Sequence, residues 1–114
     1  MSTNSIVTLS TIEEEKGIYV HWDGDMVGNE IQKIIDSLGL DKAIEVIMSH
    51  TWSMIDSSTT EDEVVLGHTK AYPGVGVFYT DEKSEMINYV GQYHLEYIHS
   101  IDVETGKVTT KPNK

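Results

Sequence analysis

The chain of 114 residues has no cysteine and no arginine, only two prolines and a single phenylalanine. Without cysteine there is no disulfide, no thiolate nucleophile and no zinc–thiolate site, a composition that fits a reducing compartment. All eight basic residues are lysines and face nineteen Asp and Glu, for a formal net charge of −11. Lacking arginine, the chain lacks the planar fork that grips phosphate or carboxylate at two points. Phosphate neutralisation supplies most of the affinity for DNA or RNA, so direct nucleic-acid binding is not expected. No run approaches eighteen consecutive apolar residues, so no segment is expected to span a membrane. The first sixteen residues, MSTNSIVTLSTIEEEK, lack a basic region followed by a long apolar run. No signal peptide is therefore expected, and the expected location is the cytoplasm.

The apolar fraction of 39% is enough for one domain, residues 1–114, with one hydrophobic core. No internal repeat or low-complexity tract interrupts it. The stretch GIYVHWDGD, residues 17–25, organises the rest. Ile18, Val20 and Trp22 alternate with Tyr19, His21 and Asp23, the period of a strand with one buried face. The run then stops at an Asp23-Gly24-Asp25 turn. An earlier β-rich run near 5–11 pairs with it through a loop containing Glu13, Glu14, Glu15 and Gly17.

From Val27 the period changes. Val27, Ile31, Ile34, Ile35 and Leu38 share one helical face, with Asp25 as the expected N-cap and Gly39 as the stop. A second helix is expected from Asp41 through Met48. Trp52, Met54 and Ile55 then cover the core, followed by an acidic loop over 56–63. Val64–Leu66 reads as a short strand, and Val75–Tyr79 as another whose glycine implies a bulge or a close backbone approach. Asp81–Glu85 is a further acidic loop, while Met86–Gly91 is ambiguous. Gln92–Asp102 alternates as a strand, and Val108–Lys111 returns as an edge strand after a turn at Glu104–Lys107. The expected fold is α+β, an antiparallel sheet of five to six strands with two short helices on one face, in the order ββαα then βββ(β).

Five histidines and many carboxylates raise a metal or acid–base reading. His21 and Asp23 share a strand face and could meet His94 and Glu96 across a sheet, a set suited to a divalent ion in a small hydrolase. His99 falls on the opposite strand face from His94 and Glu96. No nucleophile elbow, P-loop or dinucleotide fingerprint is present, since Gly74-Val75-Gly76 is a lone Gly-x-Gly within a strand. Trp22 and Trp52 are expected in the core, with ligand stacking as the alternative. The acidic residues of the predicted loops could instead imitate phosphates in a nucleic-acid-binding groove, through many weak, salt-sensitive contacts.

The segments Tyr19-Val20-His21-Trp22-Asp23-Gly24 and Pro73-Gly74-Val75-Gly76-Val77-Phe78-Tyr79 resemble those of small uncharacterised proteins of phages, prophages and some actinobacteria. These carry a Tyr-x-His-Trp-Asp-Gly segment near the N-terminus, and some carry a Pro-Gly-x-Gly-Val-x-Tyr segment downstream. The resemblance covers roughly residues 17–103, departs over 81–91, and transfers no catalytic role. It implies a setting in which small proteins act as accessory or counter-defence factors on a host protein. The leading expectation is thus a non-enzymatic inhibitor of a host factor such as a CRISPR or restriction component. It would meet a basic surface of that host protein through Asp23, Asp25, Glu61, Asp62, Glu63, Asp81 and Glu82. Two alternatives stand beside it: the hydrolase of His21, Asp23, His94 and Glu96, and a nucleotide-signal sponge stacking its ligand on Trp22 and Tyr79. No cofactor is expected for the inhibitor, and an edge such as Val108–Thr110 could pair in a homodimer.

Overall fold

The structure is a computed structural model that describes residues 3–13, 16–60, 69–79, 86–89 and 94–113. Alternating apolar residues set the first hairpin, β1 (Ser5–Leu9) and β2 (Lys16–Val20), paired antiparallel with Ser5 opposite Val20. Val7, Ile18 and Val20 bury on one side of it, and Ile6 with Tyr19 on the other, as strand alternation requires. Next come α1 (Gly24–Leu38) and α2 (Leu40–Ile47). The buried stripe of α1 is Val27, Ile31, Ile34 and Ile35, and that of α2 is Ala43, Val46 and Ile47. Gly39, at φ 89°, ends the first helix and starts the second, a backbone conformation that suits glycine. The second helix therefore begins ahead of Asp41, which lies in its first turn rather than at its cap.

Six strands follow: β3 (Trp52–Ile55), β4 (Thr69–Tyr72), β5 (Gly76–Tyr79), β6 (Ile87–Asn88), β7 (Tyr97–Ile101) and β8 (Val108–Pro112). The sheet order is β4-β5-β3-β2-β1-β7-β8, with β6 paired to β2 off this path. Among the described residues the fold is α+β, with two helices and an eight-stranded open sheet.

The expectation of an antiparallel sheet of five to six strands is corrected on two counts. Beyond the larger strand number, the sheet is mixed, because β1 runs parallel to β7 and β2 parallel to β3. The physical reason lies in the connections: the two helices carry the chain from β2 back to the same end of the sheet, so β3 must run alongside β2 in the same direction. Residues 52–55, expected only to cover the core, are an interior strand between β2 and β5. A register shift lies in β3 between Trp52 and Met54, opposite Phe78 and Val77. At Gly76 the Met54 carbonyl comes so near that a Cβ would collide with it, the close backbone approach expected of that glycine. The Val64–Leu66 strand lies outside the described residues.

Both helices pack on one side of the sheet. There Val7, Ile18, Val20, Trp52 and Ile101 meet the buried helix stripes in the main core. Each fully buried isoleucine of α1 contributes about 1.5–3 kcal/mol of transfer free energy. On the opposite side a smaller cluster joins Ile6, Ile98, Leu95 and Tyr89. No helix among the described residues is long and apolar enough to cross a membrane.

Candidate functional site at the turn between β2 and α1

Beyond Val20 the chain keeps hydrogen-bonding to β3: the His21 amide donates to Trp52 O (3.0 Å) and the Trp22 amide to Ser53 O (2.8 Å). Asp23 then adopts the left-handed conformation, φ 54° and ψ 37°, and is the N-cap of α1 without a side-chain capping bond. The expectation that Asp25 caps this helix is corrected, since Asp25 sits in the first turn, where its charge still favours the positive end of the helix dipole. The helix starts early because residue 24 is glycine. Its amide donates to Thr3 O at 2.7 Å, and a Cβ there would lie 2.5 Å from that oxygen and 2.9 Å from the Ser5 Cβ.

His99 holds the turn from below. It is fully buried, with Nε2 2.6 Å from Gly24 O and Nδ1 2.8 Å from the Thr110 Oγ1. A neutral imidazole satisfies both contacts, Nε2–H donating to the carbonyl and Nδ1 accepting from the hydroxyl. Burial pushes its pKa down to about 4, opposed by the bond to Gly24 and the negative charge of Asp25. Gly28, one turn further, completes the seat. A Cβ there would run into the Thr110 hydroxyl and stand 3.2 Å from His99 Nδ1. Sequence reading gave His99 no role. The available signal was the pair Gly24 and Gly28, four residues apart on the helix face that also carries Val27 and Ile31.

The outward side of the turn is amphipathic. Trp22 is 43% and Met26 49% exposed, and Asp23 and Asp25 are exposed beside them. The expected burial of Trp22 is thereby corrected: β2 ends at Val20, so the pleat that would turn Trp22 inward stops two residues short. Trp52, by contrast, is fully buried, its Nε1–H donating to Ile47 O at 2.8 Å.

A groove of about 350 Å³ runs from Asp23 and Met26 past Glu30 and Lys33 to Ile55 and Asp56. Glu30 is a buried carboxylate. Its Oε1 accepts from the Ser57 amide (2.8 Å) and hydroxyl (2.9 Å), and its Oε2 pairs with Lys33 Nζ at 3.0 Å. Asp56 Oδ1 accepts from the Ser58 hydroxyl (2.6 Å) and amide (2.9 Å). The Ser58 bonds, aided by the nearby Lys33 charge and opposed by burial, hold the Asp56 carboxyl below the usual range. Three carboxylates thus line one groove. Two of them, Glu30 and Asp56, are bound to the 57–58 turn, and Asp23 faces outward. In sequence Glu30 reads as one more helical surface charge; its spacing from Val27 and Ile34, on the buried stripe, was the clue.

The remaining candidates are not gathered at this site. Glu61, Asp62, Glu63, Asp81 and Glu82 lie outside the described residues. His21 Nδ1 is 2.9 Å from the Tyr19 hydroxyl, and its ring meets the Trp22 ring edge-on at 4.7 Å. His94 and Glu96 are exposed ahead of β7, and β1 lies between β2 and β7. The alternative reading, in which His21, Asp23, His94 and Glu96 meet across the sheet, finds no such grouping among the described residues. Among the described residues no group of three or more His, Asp or Glu is placed to hold a metal ion. Trp22 and Tyr79 do not form a common stacking slot, because β3 separates them: Trp22 bonds to Ser53 and Tyr79 to Thr51. Comparison with protein-family models, with curated proteins and with solved structures finds no match to this chain.

Proposed function

We propose that this chain is a binding protein that covers a basic surface of a host nucleic-acid-handling protein and catalyses no reaction itself. One observation carries the reading: Trp22 and Met26 stand exposed beside Asp23 and Asp25 on a turn tied to the sheet by Gly24 and His99. A tryptophan with a flanking methionine supplies the apolar anchor that dominates protein interfaces. The carboxylates around it favour a partner rich in lysine and arginine. Because the turn is held rigid before the partner arrives, little conformational entropy is lost on association. The phage setting implied by the Tyr19–Gly24 segment directs the proposal to a host defence component, and the net charge of −11 fits a basic target.

The test is affinity capture from bacterial lysate with the wild-type chain and with a Trp22→Ala, Asp23→Lys, Asp25→Lys variant. The wild type is expected to retain a basic nucleic-acid-binding protein that elutes as salt is raised, and the variant to lose it. Retention of the same partner by the variant overturns the reading. So does turnover of any substrate by the pure protein that is abolished by Asp23→Ala.

A further inference from the structure

On the side of the sheet away from the helices, a cleft of about 230 Å³ opens over β1 and β7. An adjoining hollow over β7 and β8 shares Ile98, Ser100 and Lys111 with it. Strand pairing explains the lining. Thr8 lies opposite Ser100, and Ser100 opposite Thr109. Residues paired across a sheet stand on the same face, so three hydroxyls form a row over three strands, about 4.8 Å apart. The next row is Ile6, Ile98 and Lys111, which sets one ammonium beside the hydroxyls. Tyr89 and Ile12 bound the cleft and add apolar surface.

Two features coincide at this cleft. Thr8 is only 5% exposed, yet its Oγ1 has no hydrogen-bond partner. Buried hydroxyls are nearly always satisfied, so an unsatisfied one calls for an explanation. Among the described residues Lys111, like Lys70 and Lys107, makes no ion pair, whereas Lys16, Lys33 and Lys42 do. Of the three without one, Lys111 is the one that lines this cleft. Unmet hydrogen-bonding capacity and an uncompensated positive charge meet over an apolar floor.

We propose that this cleft binds a small organic anion. The apolar body rests on Ile98, Ile12 and Tyr89, and a carboxylate or phosphate monoester accepts from the hydroxyl row and faces Lys111. The site is on the opposite side of the sheet from the proposed partner surface and is independent of it. The chain's overall negative field repels anions at long range. Salt screens that repulsion and the attraction of the exposed Lys111 alike, so the hydroxyl row and the apolar floor carry the part of the binding that salt leaves unchanged.

The experiment is an amide NMR titration of the full chain with phenyl phosphate, with benzoate, and with benzyl alcohol as an uncharged control. At least one anion is expected to give saturable shifts at Thr8, Ile98, Ser100 and Lys111, and the tighter one identifies the preferred headgroup. Benzyl alcohol should give none at the same concentration. Lys111→Gln, an exposed change, should weaken binding about fivefold. Thr8→Val should also weaken it while leaving Tm unchanged or raised, because it removes an unpartnered hydroxyl. Absence of saturable shifts with both anions, equal binding of benzyl alcohol, or unchanged affinity in Lys111→Gln would each overturn the proposal.

Discussion

His99 and Thr8 sit on neighbouring strands, both buried and both polar, and the two sides of the sheet differ as they do. Facing the helices, His99 has both ring nitrogens engaged, by Gly24 and Thr110. Facing away, the Thr8 hydroxyl has no partner. A fully satisfied polar group fixes one arrangement of the elements around it, while an unsatisfied one subtracts from stability. Ser5, buried on the helix-covered side, also keeps an unpartnered hydroxyl, so what sets that side apart is the two-point hold of His99 on Gly24 and Thr110 together with the larger apolar cluster. The opposite side, with its smaller cluster of Ile6, Ile98, Leu95 and Tyr89, keeps room for something else.

The largest expected effect tests that division directly. Trp52→Ala removes a fully buried indole from the helix-covered core and should cost about 3–5 kcal/mol in urea unfolding. Ile98→Ala, on the other side, should cost about 2 kcal/mol. Equal losses would erase the contrast.

Next comes acid. The His99 pKa is held at about 4 in the fold against 6.5 for a free imidazole, so the unfolded chain takes up the proton first as pH falls. Its contribution is fully present above pH 6.5 and is lost between there and pH 4, a decline of roughly 3 kcal/mol. Urea midpoints measured through this window should fall for the wild type and stay flatter for His99→Leu, whatever that variant's stability at neutral pH. A wild-type profile no steeper than the variant's would show that His99 is not kept neutral.

Smaller effects sharpen the comparison. Glu30→Gln weakens the charge-assisted bonds to Ser57 and Lys33 and should cost about 1–2 kcal/mol in chemical denaturation. Asp23→Gly relieves a left-handed conformation that side chains resist and should stabilise by about 0.5 kcal/mol. The same change should reduce partner capture. A loss of stability instead would show that the Asp23 side chain holds the turn.

Residues 17–20 as a strand, the stripe from Val27 to Ile35, the break at Gly39 and the return through Val108–Lys111 were legible because each repeats a local period over several residues. The segment Trp52–Ile55 is too short to establish one, and it became a strand only because β2 and β5 flank it. Asp23 and Asp25 were singled out for their charge, and the structure leaves both exposed beside Trp22 and Met26. Glu30, His99 and Gly28 were missed because what defines them is the contact each makes with a residue 27, 75 or 82 positions away.

The amino-acid order on its own decided the α+β class, the two helices, the strand-forming periods and a net charge of −11 with no arginine. Tertiary structure alone decided which strands run parallel, that Trp22 faces solvent, that His99 is locked neutral under Gly24, and that Thr8, Ser100 and Thr109 line up beside Lys111. Periodicity is carried by neighbours along the chain. Strand partners, burial and protonation depend on which distant segments close over a residue, and the fold chooses those.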